Sequence, residues 1–296
     1  MAGGSSHAGV YARLALVPVI WGGTFVAGRL LALELPPSVG ALLRFVVASA
    51  ALLVAAVAIE GRLPLPTRRQ LIATLVLGAT GILAYNLFFL GALARLPASR
   101  SSLIVALNPV LTIAAASVLL GERLSARRWL GVGIALAGVW IVVTRGELTG
   151  LLGGAVGRGE LMMFGAIVAW AAYTLVGRSV LEGLTPIAAT TWATLFGTAM
   201  LAVVAAPQLP RVDWGAVSLA ASLSVLYLGL LGTAVAFVWY YRAVQVLGPS
   251  RTVIFNNLVP VFGAAFGVLL LGEPLSVSMV VGGAVAVAGV MLVSRG

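Results

Sequence analysis

Cysteine and lysine are both absent from this chain, and histidine occurs once, at His7. Without cysteine there is no disulfide framework, no thiolate nucleophile and no Cys-ligated metal. Charge of either sign is scarce. Charged residues make up 9% of the 296, where a soluble chain carries about 25%, so there is too little polar surface to cover a water-soluble globule. No Asp, Glu or His lies well inside an apolar run. HExxH, paired intramembrane aspartates and a Ser–His pairing are all lacking. Intramembrane proteolysis, metal-dependent lipid-phosphate transfer and haem chemistry therefore miss their parts. The chain reads as a non-enzyme with no metal and no cofactor. Its first residues, MAGGSSHAGVYAR, form a small-residue tail without the early positive region and cleavage site of a signal peptide.

Apolar residues fill the space that charge leaves. They make up 61% of the chain, and the mean hydropathy is +1.12. Ten runs of about bilayer length follow one another, roughly at 12–32, 38–59, 70–93, 97–120, 126–144, 160–181, 186–206, 215–242, 249–271 and 276–294. They are continuous rather than alternating, which predicts helices and excludes barrel strands. The junctions carry breakers and caps: Pro36-Pro37, Pro64, Pro66, Pro97 and Thr185-Pro186. Gly121 and Gly272 suit left-handed C-caps, with Ser125 and Ser276 as the next N-caps. That pattern predicts tight antiparallel pairs of spans four with five and nine with ten.

The net charge of +10 is carried by arginine alone. The arginines stand singly or in pairs between apolar runs, so they read as topology determinants and not as a nucleic-acid stripe. With both termini cytoplasmic, inner segments hold eleven arginines and outer segments six. Arg44 stands apart, about 9 Å inside the second span at 1.5 Å per residue. It reads either as a snorkelling anchor or inter-helix hydrogen bonder, or as an attractor for a carboxylate-bearing substrate at the outer mouth.

The strongest pattern is a repeat. Leu96–Glu122 returns ungapped as Leu247–Glu273, with eleven of 27 positions identical, including Pro109/Pro260 and Glu122/Glu273. Trp21, Gly28, Arg29 and Pro37 return as Trp170, Gly177, Arg178 and Pro186. Gly-rich residues 145–159 separate the two units, 12–144 and 160–294. Each unit has five spans. Five is odd, so the units insert in opposite orientations, the plan of secondary transporters whose sites lie near the midplane. The predicted fold is an all-α polytopic membrane protein with ten transmembrane helices in two inverted five-helix repeats.

The candidate site residues cluster at the middle of the spans. Pro109 and Pro260 are expected to kink spans four and nine as hinges, freeing the carbonyls of Val105 and Asn256. Asn108, Asn256 and Asn257 lie beside them, either repairing the kinks or lining a cavity. Trp21 and Trp170 sit at mid-span, away from the headgroup belt that suits Trp129, Trp140, Trp192 and Trp214. Phe25, Thr174 and Tyr173 extend their stripes. Tyr85, Phe88, Phe89, Tyr227, Trp239, Tyr240 and Tyr241 give weaker signals; of these Tyr85 and Trp239 join the substrate-binding set. Glu122 and Glu273 are expected to cap the next helix. Small pairs such as Gly131/Ala135, Gly263/Gly267 and Gly282/Ala286 read as close helix contacts.

The doubled pattern Leu-Pro-Ala-Ser…Asn-Pro-Val…Leu-Leu-Gly-Glu-Arg-Leu-Ser…Trp-Leu-Gly…Ala-Gly-Val over 96–139, returning at 247–290, resembles the EamA repeat of the drug/metabolite transporter superfamily. The resemblance covers almost the whole chain. It implies a ten-helix inner-membrane exporter, working as a monomer, with a central cavity lined by helices one, three, four, six, eight and nine. Within the family the chain is most similar to exporters of amino acids, the aromatic-amino-acid type above all. The expected partners are membrane lipid and a neutral or aromatic small-molecule substrate moved by alternating access. The alternatives are other amphipathic metabolites or drugs, a membrane scaffold or a lipid-acting enzyme.

Overall fold

The computed structural model describes residues 3–120, 124–146, 156–180 and 184–295. Gly121, Glu122 and most of the 145–159 linker lie outside the described residues. The described residues form helices and turns, with no strand among them. In chain order these are α1 (Gly3–Glu34), α2 (Pro37–Glu60), α3 (Arg68–Leu93), α4 (Ala98–Val105 and Asn108–Leu120) and α5 (Ala126–Thr144). Then follow α6 (Arg158–Val180), α7 (Pro186–Ala205), α8 (Leu219–Leu247), α9 (Pro249–Asn256 and Val259–Leu271) and α10 (Val277–Arg295). Helix α1 runs back through the expected tail. Nine of the described helices are long and apolar enough to cross a bilayer, and Val259–Leu271 is a shorter apolar helix. The chain is thus a polytopic, all-helical membrane protein.

Local chemistry sets the ends. Thr67 and Gln70 close a reciprocal capping box on α3. Ser125, Thr185, Ser218 and Ser276 each accept a backbone N–H of the first turn that follows. Pro37 and Pro186 take first helical positions, where the missing N–H costs nothing. Gly272 ends α9 at φ 65°, the left-handed cap its position suggested.

The two mid-span prolines do not kink continuous helices. Both helices break outright, with turns at 106–107 and 257–258, and restart. Pro109 and Pro260 are the second residues of the new pieces. A proline there has no hydrogen bond to lose, so a two-residue turn is less costly than a bent helix. A second irregularity is absent from the sequence reading. Gly78–Ala84 in α3 and Tyr227–Val235 in α8 are π-helical. They fall at repeat-related places: Gly78 and Gly81 align with Gly229 and Gly232 at the same 151-residue spacing as the proline pair.

Packing exchanges the halves. Helix α1 packs on α9 as α6 packs on α4; α3 lies on α6 as α8 lies on α1; α2 packs on α7 and α5 on α10. The expected tight pairs of α4 with α5 and α9 with α10 give way to this α5–α10 contact, which the small residues explain; α5 keeps only a lighter contact with α4. A Cβ on Gly138 would stand 2.2 Å from the Ala286 nitrogen, and one on Gly289 2.3 Å from the Ala135 nitrogen. Gly131 meets Val293 and Gly282 meets Gly138. As residue numbers rise along α5 they fall along α10, so these two repeat-related helices run antiparallel.

Candidate functional site

Helix α1 presents Trp21 and Phe25 one turn apart on one face. From these two residues an aromatic circuit runs through four helices. The Phe25 ring meets Phe89 of α3 edge-on at 5.3 Å, and Phe89 stacks with Tyr85 at 5.5 Å. Tyr85 meets Trp170 of α6 at 5.2 Å, and Trp170 meets Tyr173 at 5.3 Å. The Tyr173 hydroxyl faces Tyr241 of α8, whose hydroxyl accepts from Thr190 at 3.4 Å. Tyr241 lies 5.9 Å from Phe237, and Phe237 returns to Trp21 at 5.7 Å. Tyr240 meets Trp21 from the side at 5.4 Å. Aromatic centroids 4.5–7 Å apart attract through their quadrupoles beyond simple burial, so the circuit is a connected set of rings. Both mid-span tryptophans belong to it. The Trp21 indole N–H donates to the Gly232 carbonyl at 3.0 Å, inside the π-helical turn of α8. Such a turn exposes carbonyls that a straight α-helix would use.

The amides expected beside the prolines are placed apart. Asn256 donates to the Tyr240 hydroxyl at 3.4 Å, and Asn257 is buried. Asn108 starts the second piece of α4, which packs on α6. The side-chain carbonyl oxygens of Asn108 and Asn256 are both buried and unpartnered. No hydrogen bond joins the two amide groups among the described residues. Trp239 is half-buried and has no ring neighbour among the described aromatics; Phe237, Tyr240 and Tyr241 take the place expected of it. Thr174 bonds back to the Trp170 carbonyl at 2.9 Å.

Arg44 does not snorkel. It is 7% exposed and sits between α2, α3 and α8. Its guanidinium donates to Asn86 Oδ1 at 3.0 Å and to Thr233 Oγ1 at 3.2 Å, and lies 4.9 Å over the Phe45 ring. The two π-helical turns orient both acceptors. Asn86 donates its amide to the Gly81 and Ile82 carbonyls, which leaves Oδ1 for the arginine. Thr233 donates to the Leu228 carbonyl, which leaves its lone pairs. Sequence reasoning singled out neither Asn86 nor Thr233. An amide directly after Tyr85 in an apolar span was the available signal.

Every described carboxylate is engaged away from Arg44. Glu34 accepts from the Ser218 N–H and hydroxyl, Glu60 from Thr185, and Asp213 from the Gly215 N–H. Glu160 pairs with Arg100 at 2.8 Å and both are buried. Glu273 accepts the N–H groups of Ala98 and Ser99 at 2.7 and 2.8 Å. It therefore caps a helix as expected, but that helix is α4 of the other half rather than the next in sequence. The cap and the Arg100–Glu160 pair hold one end of α4, where all eight residues of Ala98–Val105 are buried. The corresponding piece of α9 leaves Arg251 exposed.

Comparison with known proteins agrees with this architecture. The profile of the EamA-like transporter family matches twice, over residues 10–144 and 157–295. The "Uncharacterized transporter YyaM" of Bacillus subtilis is 28% identical, over 97% of this chain and 94% of its own length. A "Probable terminal-alkyne amino-acid exporter" of Streptantibioticus cattleyicolor is 31% identical over 95% of this chain and 92% of its own. The "Uncharacterized inner membrane transporter YedA" of Escherichia coli K12 is 26% identical over 90% and 84%. A solved crystal structure superposes with a TM-score of 0.64, covering 96% of this chain and 97% of the other at 21% identity, a likeness of fold. With the family profile matched over both halves of the chain, the chain belongs to the EamA-like transporter family.

Proposed function

We propose that this protein is a secondary transporter that exports neutral, chiefly aromatic, amino acids across the bacterial inner membrane by alternating access. The observation that carries the reading is the aromatic circuit drawn from α1, α3, α6 and α8. Ring faces and edges at mid-span suit the flat apolar part of such a cargo, and the tyrosine hydroxyls with the unpartnered Asn108 and Asn256 carbonyls suit its ammonium group. The similarity to a probable amino-acid exporter supports the same class.

On this reading the two halves are inverted repeats, both termini are cytoplasmic and the monomer is the working unit. The antiparallel crossing of α5 and α10 and the exchange of partners between halves support the inversion. The broken helices at Pro109 and Pro260 are the hinges. Helix breaks at membrane depth are tolerated where the freed backbone faces protein or a watery cavity. The buried, capped outer end of α4 against the exposed Arg251 of α9 supports an inward-open state.

The test is counterflow in proteoliposomes loaded with a panel of amino acids. Trans-stimulated flux of phenylalanine, tyrosine or tryptophan above that of protein-free vesicles is expected. Flux of flat drugs or amines without any amino-acid flux would move the function to amphipathic-metabolite export. No flux in folded protein would overturn transport of this class.

A further inference from the structure

We propose that Arg44 is the carboxylate-binding group of the transport site; this rests on the reading of the protein as a carrier of amino acids. A charge withdrawn from water is costly unless an opposite charge or a full set of hydrogen bonds replaces the hydration. Arg44 has neither. Its two neutral acceptors satisfy one N–H each, its Nε is buried without a partner, and no described carboxylate pairs with it. Phe45 compensates in part through its ring face. A side chain held this way is a cation waiting for an anion.

The position suits a cargo anchored at the aromatic circuit. Asn86 directly follows Tyr85, whose ring stacks on Phe89 and meets Trp170. Thr233 directly follows Gly232, whose carbonyl holds the Trp21 indole. Just past the π-helical turn of α3 and inside that of α8, one residue therefore touches the rings while its neighbour touches the cation. A planar guanidinium already oriented by two fixed acceptors loses little freedom on accepting a carboxylate. The ring of the cargo would lie among the aromatics and its carboxylate against Arg44.

The test uses purified full-length protein, phenylacetate as a probe with a ring and a carboxylate, and phenethylamine as one with a ring and no carboxylate. Affinity is read from the shift of the thermal midpoint with probe concentration. Two variants are compared with the parent. Arg44→Gln removes the cation. Asn86→Asp sets a fixed carboxylate beside the guanidinium, which supplies the missing counter-charge and keeps the folded protein. Phenylacetate should stabilise the parent. Its affinity should fall about tenfold to hundredfold in both variants, as for loss of a charge-assisted hydrogen bond, while that of phenethylamine should stay within about threefold. Equal phenylacetate affinity in parent and Asn86→Asp, or no stabilisation of the parent by phenylacetate, would overturn the assignment. Amino-acid flux is measured separately, so its absence beside carboxylate binding would overturn the cargo and not the site.

Discussion

Gly81→Ala should damage the aromatic circuit through one added methyl group. A Cβ at Gly81 would stand 2.2 Å from Tyr173 Cδ2 and 2.7 Å from Cγ and Cε2. Ordinary contact begins at 3.4 Å, so the ring must give way by more than 1 Å. It has little room to do so. Trp170 lies 5.3 Å away on one side, and the hydroxyl faces Tyr241 on the other. Overpacking of this kind costs about 1–3 kcal/mol. A glycine-to-alanine change in a helix also gains about 0.5–1 kcal/mol from the backbone, so a single midpoint would understate the clash. Gly133→Ala in α5 is the control, because its Cβ would meet nothing within 4 Å. The difference in unfolding free energy between the two variants isolates the clash and should be about 1–3 kcal/mol. Transport of phenylalanine per folded molecule should fall about fivefold to thirtyfold, the effect of 1–2 kcal/mol at the site. Replacing Tyr173 by Ala should abolish most of the difference between Gly and Ala at position 81, as a double-mutant cycle requires. Equal stability and equal flux for Gly81→Ala and Gly133→Ala would refute the close packing of α3 on Tyr173.

Three further outcomes follow from the same geometry. Gly138→Val should push α10 from α5, because its Cβ meets backbone at 2.2 Å; a loss of about 1–3 kcal/mol in detergent unfolding is expected, with flux per folded molecule retained. Glu273→Gln should loosen the end of α4 by about 0.5–2 kcal/mol, seen as faster maleimide labelling of a Ser102→Cys reporter in a chain with no other cysteine; unchanged labelling would remove Glu273 from the seal. In whole cells, an impermeant maleimide should label Glu147→Cys in the linker and spare Ser5→Cys at the N-terminus; the reverse pattern would overturn the cytoplasmic placement of the termini.

The sequence disclosed most where its signals were local or doubled. Apolar length marked the ten runs; nine of the described helices are long enough to cross, and the ninth run holds the shorter helix Val259–Leu271. Thr185, Ser125, Ser276 and Gly272 declared their caps by residue type. The mid-span tryptophans stood out because a belt residue was in the wrong place. Other features depended on partners remote in the chain. Gly131 and Gly282 announced a close contact, yet nothing in α5 named α10 as its partner. Glu273 announced a cap, and the helix it caps lies 174 residues away. The π-helical turns left no pattern, since a run such as Gly78–Ala84 reads as an ordinary helix until the residue spacing of its hydrogen bonds is known. Asn86 was hidden for that reason: its use depends on carbonyls that only the π-turn exposes.

The doubled and single features divide the labour of the fold. Backbone devices come in pairs: the π-turns of α3 and α8, the breaks in α4 and α9, the small-residue faces of α5 and α10. The polar anchor does not. At the 149-residue spacing of Pro37 and Pro186, the counterpart of Arg44 is Ala193; at the 151-residue spacing of Gly81 and Gly232, Asn86 corresponds to Phe237 and Thr233 to Ile82. A paired backbone lets either half move against the other at similar cost, as the proposed alternating access would require. If Arg44 anchors the cargo as proposed, a paired anchor would hold it equally well in two opposite poses, whereas a single one fixes which end faces which side. Among the described residues, the buried arginines Arg44 and Arg100 both lie in the first half, and Arg100 is paired with Glu160. Two uncompensated guanidinium groups would double the desolvation cost and repel one another across the site; on the proposed reading, a single one is neutralised by the carboxylate of the cargo.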